Sequence, residues 1–144
     1  MKTVAELLQS KGNASVYTIS PEQTVLEAVA LMADKGIGAL LLTEGSDVVG
    51  IITERDYARK VILLERSSQA TPVSDIMTAA VMYVHPNQTS SECMKLMTEK
   101  RLRHLPVLEN GKLLGLLSIG DLVKGVISDQ QETIDQLEQY IRGE

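Results

Sequence analysis

The sequence predicts an α/β fold in which two copies of one strand-helix-strand-strand-helix unit pack as a pseudo-twofold pair. Three observations carry that expectation. A shift of 65 residues lays 16–62 onto 81–127 without a gap. Each copy alternates short β-rich runs with stretches of helical periodicity. A single unit of this kind leaves a sheet face and two helices in need of cover, which a second copy supplies.

The repeat is visible residue by residue. Pro21, Gln23, Thr24, Glu27, Leu31, Met32 and Lys35 fall on Pro86, Gln88, Thr89, Glu92, Leu96, Met97 and Lys100. Leu40, Glu44, Gly50, Asp56, Val61 and Ile62 fall on Leu105, Glu109, Gly115, Asp121, Val126 and Ile127. Outside this register, Val4-Ala5-Glu6-Leu7-Leu8 resembles Val73-Ser74-Asp75-Ile76-Met77 at a slightly different offset.

In order, Val16 to Ile19 and Val81 to Val84 read as short strands stopped by Ser20-Pro21 and His85-Pro86. Thr24 with Glu27, and Thr89 with Glu92, fit a capping box that satisfies free N–H groups at a helix start. Apolar residues at Val25, Ala28, Val29 and Met32, and at Cys93, Met94, Leu96 and Met97, give each following helix a core face. Gly36 ends the first helix, whereas the second has to end near Lys100-Arg101 without a glycine. Ala39 to Leu42 and Leu105 to Leu108 read as buried strands. Turns at Gly45-Ser46-Asp47 and Asn110-Gly111-Lys112 lead to hairpin partners Val48 to Ile52 and Leu113 to Leu117. A helix follows Asp56 and another follows Asp121. Past Asp129, Ile134, Leu137 and Tyr140/Ile141 recur at helical spacing on a tail too short to be stable alone, which implies docking on a neighbour. The expected layout is one module over 1–144: a first motif over about 4–66, a second over about 73–128, and a C-terminal helix over about 129–142.

Composition narrows the function. The chain has 144 residues, 44% of them hydrophobic and 23% charged, which suits a single globular domain. A net charge of −5, with no Phe or Trp and four Tyr, argues against nucleic-acid partners, which call for a basic footprint and stacking rings. No 18-residue apolar run suggests a membrane span, the N-terminus lacks a signal peptide's apolar stretch, and the lone cysteine suits a reducing compartment, so a cytoplasmic address is expected. Two histidines and one cysteine without ligand spacing make a metal site unexpected. His85 reads as a turn residue, and Cys93, in the place of Ala28, as a small core residue. No phosphate-binding loop, nucleophile elbow or dinucleotide fingerprint is present, and His104 with Asp121 has no nucleophile to complete a catalytic set, so no enzyme is expected.

The motifs that remain are Gly50-Ile51-Ile52-Thr53-Glu54-Arg55-Asp56 and Gly115-Leu116-Leu117-Ser118-Ile119-Gly120-Asp121. Taken alone, Ser/Thr-x-x-Asp is first of all a capping box, although capping does not explain a glycine three residues upstream in both copies. Together with Arg103-His104-Leu105-Pro106-Val107, and within the 65-residue repeat, these motifs resemble the cystathionine β-synthase (CBS) domain family over nearly the whole chain. The stretch Thr53 to Lys60 with Arg66-Ser67-Ser68 resembles short, two-motif CBS proteins of bacteria and plant organelles.

That resemblance implies a disc-like module, often a homodimer, whose clefts between motifs take AMP, ADP, ATP, NAD(H) or S-adenosylmethionine. It implies that Asp56 and Asp121 accept from ribose hydroxyls, that Thr53 and Ser118 bond ribose or phosphate, and that adenine lies near Tyr17 and near Met82-Tyr83. Gly38-Ala39 and Arg103-His104 would line the phosphate ends. Arg55, Arg103 and His104 are read as phosphate contacts and Arg101 as solvated, with Arg59 and Lys60 undecided. Gly38-Ala39 in place of a basic pair, and Gly120 in place of Arg55, make the clefts unequal. The expected function is an adenine-nucleotide sensor without a catalytic cofactor, acting in trans on a partner protein. The alternatives are a structural dimerisation module and an accessory subunit of an enzyme, each with vestigial clefts.

Overall fold

The structure, a computed structural model, describes residues 1–11 and 16–143. It divides into two compact units: Val16–Val81, which holds the first repeat, and Met1–Ser15 with Met82–Glu144, which holds the second. The first helix of the chain, α1 (Val4–Ser10), belongs to the second-repeat unit.

The first-repeat unit contains β1 (Thr18–Ile19), α2 (Val25–Lys35), β2 (Ala39–Glu44), β3 (Asp47–Thr53) and α3 (Glu54–Tyr57). A π-helical stretch, Ala58–Ile62, continues α3, and a 3-10 turn follows at Val73–Asp75. β1 runs parallel to β2, and β2 pairs antiparallel with β3 from Ala39↔Thr53 to Glu44↔Asp47. The core gathers Val25, Ala28 and Met32 from α2, Leu40, Leu42 and Ile52 from the hairpin, and Val61, Val73 and Ile76 from the segment after it.

The second-repeat unit contains α4 (Ser90–Lys100), β4 (His104–Glu109), β5 (Lys112–Ser118) and α5 (Ile119–Arg142). Val4 and Leu7 of α1 are buried with Val84, Cys93, Met97, Leu105, Val107, Leu117 and Leu122. Each repeat is therefore completed by the segment that precedes the other one in sequence. The two segments dock alike, which gives the off-register similarity of 4–8 to 73–77 its physical content. Val73 N donates to Gln23 O at 2.8 Å and Val4 N to Gln88 O at 2.8 Å. Ser74 N donates to Pro21 O at 3.2 Å and Ala5 N to Pro86 O at 2.9 Å.

Several expected elements take a different form. The strand expected over Val16 to Ile19 pairs only at Thr18–Ile19. Among the described residues, only Val84 of Val81 to Val84 makes a bridge, to Val107, while Met82 and Tyr83 run exposed. The helix expected over 129–142 is the C-terminal part of α5, which runs unbroken for 24 residues from Ile119. Thr24 and Thr89 accept from Glu27 N and Glu92 N at 3.2 Å, so both helix starts are capped. The carboxylates do not close the box: Gln23 and Gln88, repeated residues themselves, donate to Glu27 at 2.8 Å and Glu92 at 3.2 Å. As expected, α2 ends at Gly36 with φ 65°, and α4 ends without glycine at Arg101 with φ 56°.

The hairpins share one irregularity that bears on the site. Register shifts between Leu42 and Thr43 in the first, and between Val107 and Leu108 in the second, 65 residues on. Each shift lies opposite the glycine of the motif, Gly50 or Gly115.

Candidate functional site

Both Ser/Thr-x-x-Asp motifs build the turn from a hairpin into a helix, and both form a full capping box. Asp56 Oδ2 accepts from Thr53 N at 2.9 Å and from Thr53 Oγ1 at 3.1 Å, while Thr53 Oγ1 accepts from Asp56 N at 3.2 Å. Asp121 Oδ2 accepts from Ser118 N at 2.8 Å, and Ser118 Oγ accepts from Asp121 N at 3.2 Å. Two donors at each helix start are thus satisfied, and each carboxylate sits at the positive end of its helix.

The upstream glycines have a packing reason. A Cβ on Gly50 would collide with Met77 Sδ, and a Cβ on Gly115 would lie 2.6 Å from Leu8 Cδ2. Met77 and Leu8 are matching residues of the two docking segments. The glycine therefore lets the borrowed segment close on the hairpin, in both copies by the same contact.

Each aspartate also holds a lysine, and the two lysines come from different places. Lys60 Nζ, one turn along, lies 3.2 Å from Asp56 Oδ1 and donates to Ile76 O at 3.0 Å. Its counterpart in the repeat is Gly125, which carries no charge. In the second-repeat unit Lys11 supplies it, with Nζ 3.0 Å from Asp121 Oδ2 and donating to Leu116 O at 2.7 Å. Partial burial pushes the Asp121 carboxyl pKa up, but the Ser118 N–H and the Lys11 ammonium outweigh it and hold the group below the ordinary range. Asp121 Oδ2 thus takes both the Ser118 N–H and the Lys11 ammonium.

The other expected site residues divide into those that join these groups and those that do not. Gly38 O accepts from Glu54 N at 3.1 Å and Ala39 pairs with Thr53, so 38–39 border the Thr53–Asp56 turn. Arg103 O accepts from Ile119 N at 2.9 Å and His104 pairs with Ser118, so 103–104 border the Ser118–Asp121 turn. Arg55, Arg103 and Gly120 are exposed, and His104 is half-buried. Tyr17 packs against the core of its unit with Lys35 Nζ 5.3 Å from the ring centre. Met82 and Tyr83 are exposed, and the Tyr83 ring meets His85 edge-on at 5.6 Å. Among the described residues no hydrogen bond or ring contact joins Tyr17 to the Asp56 turn of its own unit, or Met82 or Tyr83 to the Asp121 turn of theirs. Sequence reasoning missed Lys11 and left Lys60 open; the loss of the lysine at Gly125 was the signal that a charge had to come from elsewhere.

Cys93 is buried in the core, and burial followed by the neighbouring Glu92 charge pushes its thiol pKa up. Among the described residues, no cluster of three or more His, Cys, Asp or Glu side chains could hold a metal ion, and no helix is long and apolar enough to cross a membrane.

The profile of the CBS domain matches residues 4–63 and again 73–128. The chain belongs to the CBS-domain family. This CBS pair is 38% identical over 149 residues to the mitochondrial CBS domain-containing protein CBSX3 of Arabidopsis thaliana, covering 98% of this chain and 72% of that protein. A solved structure of a protein with CBS domains from Burkholderia ambifaria has 60% identity and a TM-score of 0.86, covering 90% of this chain and 96% of the other. The CBS domain pair of protein MJ0100, solved with 5′-methylthioadenosine and S-adenosyl-L-methionine, shares the fold at a TM-score of 0.79 with 19% identity, over 90% of this chain and 98% of that one.

Proposed function

We propose that this CBS pair is a regulatory module that binds an adenosine-containing ligand (AMP, ADP, ATP, NAD(H) or S-adenosylmethionine) at its aspartate turns. It acts in trans on a partner protein and catalyses nothing itself. The observation that carries this reading is the pair of carboxylates fixed at helix starts. Each uses Oδ2 for its cap, and Oδ1 of Asp121 is the oxygen proposed to accept from a ribose diol. Thr53 and Ser118 supply hydroxyls beside them, with Gly38-Ala39 and Arg55 on one turn and Arg103-His104 and Gly120 on the other. Adenine is assigned to Tyr17 and Met82-Tyr83. That protein MJ0100 was solved with two adenosyl compounds supports the ligand class. A ligand shifts such a module only by its differential affinity for two shapes. One cysteine, buried and unpaired, suits a reducing compartment, with the cytoplasm as the proposed address.

The module is also read as a homodimer through α5. Val123, Ile127, Ile134, Leu137 and Ile141 are exposed, and with Gln130 they fall at alternating three- and four-residue spacings, the seam of a coiled coil. Isoleucine at one seam position and valine or leucine at the other suits two parallel copies, in which Gln130 faces its own equivalent and the amides can bond each other.

A second reading, a protein-interaction or accessory subunit with vestigial clefts, is favoured by the lysines that already occupy Asp56 and Asp121. Thermal-shift titration with AMP, ADP, ATP, NAD, NADH and S-adenosylmethionine separates the two. At about a hundred times its dissociation constant a ligand adds about 2.7 kcal/mol. Stabilisation reduced by Asp56→Ala and by Asp121→Ala supports the sensor, and no shift with any ligand supports the interaction module.

A further inference from the structure

The two aspartate turns differ in what surrounds them. In the first-repeat unit Lys60 bridges Asp56 and the Ile76 carbonyl. In the second-repeat unit that position is Gly125, and a Cβ there would lie 2.5 Å from Leu7 Cδ2. Beside it, between α1 and α5, is a cleft of about 340 Å³, at the small end of the range of ligand sites. Lys2, Lys11 and Lys124 line it with Asp121 and the hydroxyl-bearing Ser10 and Ser128. Asp121 faces Lys11, and Asp129 and Glu132 lie near Lys2, so Lys124 is the lysine of the three with no carboxylate of its own among the described residues.

Two of those ammonium groups are only loosely committed. Lys124 is exposed and makes no ion pair among the described residues. Lys2 Nζ lies 3.9 Å from Asp129 Oδ1 and 3.6 Å from Glu132 Oε1, both longer than the roughly 2.7–2.9 Å of a tight charged hydrogen bond. Lys11 alone is held closely, by Asp121 and the Leu116 carbonyl.

We propose that this α1–α5 cleft binds the phosphate group of a phosphorylated ligand, with Lys124, Lys11 and Lys2 as its cationic wall and the Ser10 and Ser128 hydroxyls as further donors. The inference rests on the nucleotide reading in one respect: a ribose on Asp121 would set its phosphate beside Lys11. It assigns the phosphate to the helices on either side of Gly125, not to Arg103 and His104. It also makes the two turns unequal, because the first-repeat unit has a lysine where the second has the glycine.

The test is calorimetric titration of the intact protein with AMP, adenosine and inorganic pyrophosphate, repeated for Lys124→Gln and Arg103→Gln. Lys124 has no ion pair to lose, so its substitution leaves the fold intact. The expected result is that AMP binds the wild type more tightly than adenosine, and that Lys124→Gln weakens AMP by about tenfold while adenosine is unchanged. AMP binding lost through Arg103→Gln and untouched by Lys124→Gln overturns the inference and leaves the nucleotide reading standing. Pyrophosphate bound by the wild type and weakened in Lys124→Gln, with no AMP or adenosine bound, sustains the phosphate site and removes the adenosine reading. No binding of any of the three overturns both.

Discussion

Lys11 Nζ, 3.0 Å from Asp121 Oδ2, does from a borrowed segment what Lys60 does for Asp56 from one turn along the same stretch. Asp121 has a side-chain exposure of 15% and Lys11 of 31%, so the pair is largely shielded. Removing the lysine leaves a shielded carboxylate and the Leu116 carbonyl without their donor. Lys11→Met is expected to destabilise the second-repeat unit by about 1–2 kcal/mol, measured by urea denaturation. Lys60→Met, at a more exposed i,i+4 pair, is expected to cost less than about 1 kcal/mol.

Acid should reveal the same pair. The Asp121 pKa is lowered on folding, so its stabilisation is complete above the unfolded value of about 3.9 and is lost as pH falls through the lower folded value. The urea midpoint of the wild type is expected to fall on going from pH 5 to pH 3. In Lys11→Met the fall is smaller, because the charge that lowers the pKa is gone. Equal slopes for the two proteins would show that Lys11 does not set the Asp121 titration.

Gly115→Ala is expected to destabilise by about 1–3 kcal/mol, since its Cβ would lie 2.6 Å from Leu8 Cδ2. The double variant with Leu8→Ala should be more stable than the two single effects predict, because the second change removes the clash. Gly120→Ala is the control. Its Cβ comes no nearer than 3.5 Å to Ser118 Oγ, so the substitution is tolerated.

Ile134→Asp and Leu137→Asp each place a charge in the α5 seam, where an assembled pair of helices would bury it. The wild type is expected to run at twice the chain mass of 15.7 kDa in light scattering, and either variant at once that mass with unchanged helicity. In a Cys93→Ala background, Gln130→Cys should oxidise to a disulfide-linked dimer, because a parallel seam sets this residue opposite its equivalent.

Much of this was legible in the sequence, and the misses have specific physical causes. The 65-residue repeat gave the hairpins, the helix starts and even the glycine-free stop at Arg101, since local chemistry decides all of these. The strand at Val81 to Val84 was overread, because β-propensity says nothing about whether a neighbour is there to pair with. Docking of 4–8 on the second repeat and 73–77 on the first was invisible, although their likeness was plain, because similarity does not say which partner a segment covers. The site was half legible. Thr53, Asp56, Ser118 and Asp121 stand out by pattern, whereas Lys11 acts across 110 residues of chain and nothing local marks it.

The borrowed first helix has a consequence for how the chain assembles as it is made. Val16–Val81 is continuous, so everything that unit needs has been synthesised before the second repeat begins. The residues of α1 are made before the first repeat yet have their hydrogen-bond partners at Pro86 and Gln88, and their core neighbours reach as far as Leu122. During synthesis Val4 and Leu7 therefore wait uncovered while some hundred residues follow, and the closing step joins two segments that have the whole first repeat between them. Folding of the second repeat is gated by the return of α1.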